Sequence, residues 1–197
     1  MIDTCNNLEW EKKDTAVGSG VDAGNLHDVD NRYSWAGRCT ISSALCQPDA
    51  AAAATCATQT GGALGCTECG GGEGTCDVDP FTAGAITTVW DWANQVNAAS
   101  FAGHSDWRLA TSAGCCGFPT GEPAELESIV DLGAPGCGVG SPCIDSIFGP
   151  TVANDYWSAS PDSTFPDNAW YVSFSFGFVG FDDKDFHLWV RAVRPGS

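Results

Sequence analysis

The stretch Ala169-Trp170-Tyr171-Val172-Ser173-Phe174 decides the architecture that we predict for the carboxyl end of the chain. Its large apolar residues alternate with Tyr171 and Ser173, and this period of two predicts a β-strand with Tyr171 and Ser173 turned outward. Ser175-Phe176-Gly177 follows as a predicted hairpin turn, and Phe178–Phe181 begins the return strand. The stretch therefore predicts an antiparallel hairpin with an apolar inner side.

Other segments predict two helices and further short strands. Residues 87–99 place apolar side chains at the spacing of one helical face, and residues 123–132 have a proline at their start and a glycine just after their end. Residues 156–160 and 188–194 predict strands, and residues 182–187 predict a polar loop. Together these elements predict an α+β fold, with two helices, short antiparallel strands and long loops stapled by disulfides.

Composition limits the number of domains and the classes of partner. The 197 residues correspond to a single domain, and we expect it to span 1–197. A net charge of −17 disfavours binding to nucleic acid or to anionic lipid. No apolar run approaches the ~20 residues that a membrane span needs. We therefore expect no nucleic-acid partner and no direct membrane insertion.

The cysteine content indicates an oxidising compartment. Eleven cysteines are too many for a reducing environment unless they bind metal. Six of them lie in a Cys- and Gly-rich insert at about 39–80, which we predict to be rich in loops and to need cross-links to be ordered. Cys137 and Cys143 flank a loop rich in proline and glycine and could pair with each other. We expect an extracellular or cell-surface protein, although the first residues show no signal peptide.

Three motifs suggest catalysis or zinc, and each also has a simpler explanation. His104-Ser105-Asp106 contains the residue types of a catalytic triad, but such close neighbours rarely point at one another. Cys66-Thr67-Glu68-Cys69 lacks the second ligand pair of a zinc site, so disulfides are favoured. The vicinal pair Cys115-Cys116 could be a redox site, although neighbouring cysteines more often pair with different partners. We therefore predict no catalytic residue.

One further segment resembles a cation site. His27-Asp28-Val29-Asp30-Asn31 offers oxygen ligands at alternate positions, as calcium prefers, without matching a full calcium loop. A capped polar turn is the alternative. We predict no cofactor, and calcium near Asp28 and Asp30 stays as an open alternative.

The carboxyl-terminal aromatic residues are the candidates for a binding surface. Five of the ten Phe residues fall between positions 174 and 186. Strand alternation does not explain Phe176 in a turn, where Asn, Asp or Gly is usual. Exposed aromatic side chains among acidic ones are typical of recognition surfaces. Packing of some of them beneath the cysteine-rich insert is the alternative.

Seven blocks of the sequence share a family pattern: residues 3–13, 26–35, 101–109, 124–131, 156–158, 169–172 and 190–194. Together they resemble the domain at the carboxyl terminus of Legionella collagen-like adhesins and of many bacterial and archaeal surface proteins. The resemblance implies a C-type-lectin-like fold and an adhesin that binds surface polysaccharide. This chain departs from the family at Ala110, where a proline is usual, and in its inserts at 39–80 and 112–122.

The carboxyl end also resembles the variable proteins of diversity-generating retroelements, which use this lectin-like fold. In those proteins mutagenic reverse transcription rewrites chosen codons, typically Asn codons. The residue types between the fixed positions here are all reachable from an Asn codon with its first two bases randomised. The resemblance implies these ligand-binding positions: Ser173, Ser175, Phe176, Phe178, Gly180, Phe181, Asp182, Asp183, Asp185, Phe186, His187 and Leu188.

We therefore predict a surface-displayed binding module of the receptor or adhesin type, and not an enzyme. Its carboxyl-terminal hairpin and loop would form a diversified face for a macromolecular ligand, more readily a protein than a sulfated glycan, because the chain is acidic. One alternative is a glycan-binding adhesin domain without diversification. Another is an oxidase resembling the formylglycine-generating enzymes, with Cys115 and Cys116 as its cysteines.

Overall fold

Two β-sheets and two α-helices form the framework of the described part of the chain. The computed structural model describes residues 1–15, 24–35, 38–39, 46–47, 50–60, 88–165 and 168–196. Within these ranges the helices are α1 (Ala50–Gln59) and α2 (Val89–Ala98). The predicted α+β class is confirmed. None of the helices in these ranges is long and apolar enough to cross a membrane.

Thirteen strands are assigned in the described ranges, and most are short. They are β1 (Ile2–Asp3), β2 (Leu8–Trp10), β3 (Arg32–Ser34), β4 (Arg38–Cys39), β5 (Cys46–Gln47), β6 (Arg108–Leu109), β7 (Gly114–Cys115), β8 (Phe118–Pro119), β9 (Asp155–Pro161), β10 (Asn168–Ser173), β11 (Phe178–Asp183), β12 (His187–Trp189) and β13 (Ala192–Pro195). One sheet has the order β1-β2-β13-β6, and the other has the order β11-β10-β9-β12-β3. The pairs β4-β5 and β7-β8 form separate hairpins.

The two ends of the chain meet in the four-stranded sheet. β2 pairs antiparallel with β13, with Leu8 opposite Pro195 and Trp10 opposite Val193. The backbone N–H of Glu11 continues the pairing by donating to the carbonyl of Ala192 at 3.0 Å. Leu8 and Trp10 of β2 and Val193 of β13 therefore belong to one hydrophobic cluster.

Helix α2 confirms the helix predicted at 87–99. Thr88 caps its amino end, because its side chain accepts the N–H of Asp91 while the Asp91 carboxylate accepts the N–H of Thr88. Val89, Trp92 and Val96 recur on one side and are buried, as the apolar spacing predicts.

The second predicted helix, at 123–132, is wrong in extent. Only a 3₁₀ turn, Leu126–Ile129, forms there. Residues on both sides of this turn are bound elsewhere: the N–H of Leu126 donates to the carbonyl of Thr111, and Val130 pairs with Ile144 in an extended conformation. These contacts prevent further helical turns.

The other α-helix of the described residues, α1, lies inside the Cys- and Gly-rich insert that we predicted to be rich in loops. Helix α1 begins in an alanine run, and alanine has the highest helix propensity. Cys56 on this helix is disulfide-bonded and fully buried in the core beside α2. The Cys66–Cys69 motif and most of the insert lie outside the described residues.

The single final strand predicted at 188–194 is divided between the two sheets. β12 pairs with β3 in the five-stranded sheet, and β13 pairs with β2 in the four-stranded sheet. The predicted polar loop at 182–187 is shorter than expected, because β11 continues to Asp183 and β12 begins at His187.

The five-stranded sheet separates two hydrophobic clusters. Neighbouring residues of β9 point to opposite clusters: Trp157 packs with the helix residues Trp90 and Trp92, and Tyr156 packs with Trp10 and other residues of the first sheet. Every Trp except Trp189 is buried. The central strands β9 and β10 are therefore covered on both faces.

Candidate binding surface at the carboxyl-terminal hairpin

The predicted hairpin is formed by β10 and β11. Trp170 lies opposite Phe181, and Ser173 lies opposite Phe178. The turn between the strands closes with the N–H of Gly177 donating to the carbonyl of Ser173 at 2.7 Å. Gly177 has a φ of +74°, a conformation that favours glycine. β11 is the edge strand of its sheet, so its side chains reach the surface.

Ten of the twelve candidate positions have solvent-accessible side chains or backbone. The exposed fractions are 62% for Phe176, 48% for Phe178, 37% for Phe181 and 51% for Phe186. The half-buried positions are Ser175, Gly180, Asp182, Asp183, Asp185 and His187. The unusual Phe in the turn is therefore a surface residue.

The predicted outward orientation of Ser173 is wrong, and the candidate ligand-binding residue Leu188 is buried. Ser173 is 1% exposed, because it lies in a central strand between Asp155 of β9 and Phe178 of β11. Leu188 is 8% exposed and belongs to the core beside α2. Alternation alone predicts an open outer face, but the central strand β10 is covered on both faces at Ser173.

The exposed aromatic residues form two groups rather than one. In the first group, the Phe178 ring lies 6.3 Å from that of Phe176 and 6.2 Å from that of Tyr171. In the second, the Phe165 ring lies 5.8 Å from Phe181 and 6.2 Å from Phe118. Phe178 and Phe181 are three residues apart on β11, so their side chains leave opposite faces of the strand.

Phe118 and Phe165 are surface residues that the sequence did not reveal. Phe118 is 39% exposed and Phe165 is 45% exposed. Each is an isolated Phe in a segment rich in Gly, Pro and Ser, and no periodicity marks it. Their position beside Phe181 depends on contacts between distant segments, which no local pattern predicts.

Phe118 belongs to the β7-β8 hairpin, which lies beside Phe165. Cys116 and Gly117 form its two-residue turn with φ values of +60° and +92°, as in a type I′ turn. The Cys115 thiol donates to the carbonyl of Val179 on β11 at 3.2 Å. The vicinal cysteine pair thus joins this hairpin to the edge strand.

Cys115 lacks the properties of a nucleophile. It and Cys116 are free cysteines. Burial, together with the hydrogen bond to and the charge of the Cys116 thiol, raises the pKa of Cys115 to about 11. A reactive cysteine needs the opposite shift, towards the thiolate at neutral pH. This geometry gives no support to the oxidase alternative.

Two other candidate motifs, 104–106 and 27–31, serve the structure. The carboxylate of Asp106 accepts a hydrogen bond from Arg194 Nε at 2.8 Å, so it orients an arginine rather than His104. Asp28 is buried and its carboxylate accepts the N–H of Asp30 at 2.8 Å, which is a capped polar turn. Among the described residues, no group of three or more His, Cys, Asp or Glu side chains could hold a metal ion.

A disulfide-closed loop supports the turn of the β10-β11 hairpin. Cys137 and Cys143 are bonded, as we predicted from their spacing. The N–H of Gly138 donates to the carbonyl of Ser175 at 3.0 Å, and the N–H of Cys143 donates to the carbonyl of Phe174 at 2.6 Å. These two hydrogen bonds hold the backbone on both sides of Phe176.

The surface around the hairpin is negative. Burial and the neighbouring carboxylates of Asp183 and Asp155 raise the pKa of Asp182, and burial and Asp183 raise the pKa of Asp185. Lys184 lies between them in sequence, but its side chain is fully buried, with Nζ 4.6 Å from the centre of the Trp35 ring. Its charge is therefore directed into the core and away from a ligand.

Comparison with known proteins identifies the family of the chain. No curated protein and no solved structure matches it. The model of the Lcl C-terminal domain matches residues 1–194. This match confirms the resemblance drawn from the seven sequence blocks, and the chain belongs to the family of Lcl C-terminal domains.

Proposed function

We propose that this chain is a surface-displayed module that binds a macromolecular ligand through its carboxyl-terminal hairpin and the loop that follows. Membership of the Lcl C-terminal domain family suggests an adhesin-like surface module. The observation that carries the proposal is the exposure of Phe176, Phe178, Phe181 and Phe186 within one short segment. Among them Phe176 and Phe178 are neighbours, and adjacent exposed apolar side chains are typical of interaction sites.

A rigid support under exposed side chains favours recognition. Val172 and Phe174 are fully buried beneath the hairpin, and the disulfide-closed loop holds its turn. A preformed surface loses less conformational entropy on binding than a mobile one. Aromatic side chains then bury a large apolar area with few rotatable bonds.

The acidity of the surface supports a protein as the ligand rather than a sulfated glycan. Sulfate groups would be repelled by Asp182, Asp183 and Asp185. A protein with basic side chains would be attracted by the same carboxylates, and its apolar side chains could pack on the Phe rings.

The finer parts of the proposal are a C-type-lectin-like fold and diversification by a retroelement. The pairing of β2 with β13 and the scarcity of regular elements between residues 110 and 154 support the fold. Burial supports diversification, since the proposed fixed positions Trp170, Val172 and Phe174 are buried and ten of the twelve proposed variable positions are accessible.

Substitution of an exposed Phe should leave the fold intact. We expect Phe176→Ser to change the free energy of unfolding by less than about 1 kcal/mol, as is usual for surface positions. The matched control is Phe174→Ser, two residues earlier and fully buried, which should cost about 3–5 kcal/mol. Chemical denaturation followed by Trp fluorescence measures both, and equal losses would identify Phe176 as a core residue.

The neighbouring DNA tests diversification. We expect a reverse transcriptase gene and a near-repeat of the 3′ coding end that differs from it only at adenines. The differences should fall in codons for the accessible positions such as Phe176 and Phe178, and they should spare codons for Trp170 and Val172. The absence of the gene and the repeat would leave an undiversified adhesin domain.

A further inference from the structure

The loop between Leu132 and Cys143 exposes apolar side chains beside the hairpin turn. Val139 is 85% exposed and Leu132 is 68% exposed, and both fractions are larger than the 62% of Phe176. Neither residue lies in the carboxyl-terminal segment where we predicted the ligand. Such exposure has no role in folding, because the apolar surface stays in water.

Direct contacts join this loop to the turn. The N–H of Gly138 donates to the carbonyl of Ser175, which places Val139 next to the turn that carries Phe176. The Leu132 side chain occupies the space where a Cβ on Gly177 would lie. Leu132 therefore packs against the turn, and Val139 follows the residue that binds the turn backbone.

The loop is held in a single conformation without the help of a ligand. The Cys137–Cys143 disulfide closes it, and the N–H of Asp131 donates to the carbonyl of Cys143 at 2.9 Å. The carboxylate of Asp131 accepts the N–H of Gly133 at 2.8 Å. Leu132 and Val139 are thus presented from a fixed backbone.

The charge of the surrounding chain indicates the chemistry of the partner. The sequence between Arg108 and Lys184 contains Asp and Glu but no Lys, Arg or His, and Lys184 itself is buried. Asp131 borders the loop, and Asp155 of β9 lies opposite Ser173, at the turn end of the hairpin. The charged side chains that residues 109–183 contribute are therefore all acidic.

We propose that the disulfide-closed loop is a second, constant part of the binding surface, with Leu132 and Val139 as its contacts. The partner is a protein surface with an apolar centre and a rim of Lys or Arg side chains. This inference rests on the proposed function. The loop supplies the same apolar contacts whatever side chains the hairpin carries, and the hairpin selects among partners that share the basic rim.

Matched variants and peptides test the inference. The probe is a peptide of Leu and Arg that forms a cationic amphipathic helix, and its dissociation constant is measured by fluorescence anisotropy. We expect Leu132→Ser with Val139→Ser, and separately Phe176→Ser with Phe178→Ser, to weaken binding at least about tenfold. The control, Ile2→Ser, removes a side chain that is 49% exposed on β1 and should leave the affinity unchanged.

The outcomes separate the inference from the proposed function. If only the hairpin variant weakens binding, the constant role of the loop is wrong and the proposed hairpin surface stands. If neither variant weakens it, both are wrong. Matched peptides of Leu and Glu, or of Ser and Arg, should bind far more weakly, because each lacks one half of the proposed chemistry. Equal binding of either peptide, or displacement of the probe by heparin, would overturn the proposed partner class.

Discussion

Replacing Arg191 with methionine is expected to lower the free energy of unfolding by about 3–5 kcal/mol. The guanidinium is 1% exposed and donates to the carbonyls of Glu11 at 2.8 Å and Phe148 at 2.9 Å. It also reaches the carbonyl of Pro150 and the hydroxyl of Thr151, at 3.2 and 2.8 Å. Methionine fills much of the same volume but leaves these oxygens without a donor.

The loss of stability in Arg191→Met follows from the positions of the residues that the Arg191 guanidinium binds. Glu11 follows β2, whereas Phe148 and Pro150 belong to the segment that leads into β9. The Arg191 side chain therefore joins the segment after β2 to the segment before β9. The control is Arg32→Met, because the Arg32 guanidinium is partly exposed, 5.0 Å from the centre of the Trp189 ring. That change should cost about 1 kcal/mol or less. Similar losses in both variants, measured by urea denaturation, would contradict this role.

The second large effect is a loss of stability in acid that depends on Glu11. Glu11 is fully buried, with one carboxylate oxygen 3.0 Å from Lys13 Nζ and 2.7 Å from His27 Nδ1. Its other oxygen accepts the N–H of Ala192 at 2.8 Å. Burial by itself raises the pKa of Glu11, but these three partners outweigh it and hold the pKa at about 2.

The direction of the pH dependence follows from this lowered pKa. The folded state favours the ionised carboxylate, so its contribution is complete above the unfolded pKa of about 4.5 and is lost as the pH falls towards about 2. A difference of about 2.5 pKa units corresponds to roughly 3 kcal/mol. Unfolding free energies of the wild type should fall through this range by more than those of Glu11→Gln, which lacks the titrating group.

The comparison of these two proteins isolates Glu11 from other carboxylates. Asp106 and Glu125 also have lowered pKa values, because they accept hydrogen bonds from Arg194 and Arg108. Protonation of these two carboxylates in acid destabilises the wild type and Glu11→Gln equally. We expect Glu11→Gln to be less stable than the wild type at neutral pH and the two curves to converge near pH 2. Curves that run parallel over the whole range would show that Glu11 contributes nothing to the pH dependence.

The expected losses of stability at Arg191 and at Glu11 arise in the framework beneath the proposed binding surface and not in the surface itself. Arg191 and Glu11 tie β13 and β2 to the segment before β9, and β9 pairs with the hairpin strand β10. Variation at Phe176 or Phe178 leaves those contacts untouched. This separation allows the exposed residues to change while the fold keeps its stability.

Local patterns in the sequence were sufficient for the elements with strong periodicity. Helix α2, the strands around Trp157 and Trp170, and the hairpin turn before Phe178 agree with the predictions. The pairing of Cys137 with Cys143 also follows from a short loop with proline and glycine. In each case the residues that determine the structure lie within a few positions of one another.

The candidate site was predicted in part. The sequence identified the exposed Phe residues of the hairpin, because a turn rarely contains Phe. It did not reveal Phe118, Phe165, Leu132 or Val139, which reach the hairpin from distant segments. It placed Ser173 outside, because alternation does not show whether the second face of a sheet is covered, and it did not show that Leu188 is buried.

The sequence by itself determined the α+β class, the family, the acidic character and the identity of the most exposed aromatic residues of the hairpin. Only the tertiary structure decided which of the candidate residues share a surface. It divided Phe178 and Phe181 between two faces of β11 and set the disulfide-closed loop against the hairpin turn. The physical reason is that periodicity records local backbone geometry, whereas a surface depends on long-range packing between segments far apart in the chain.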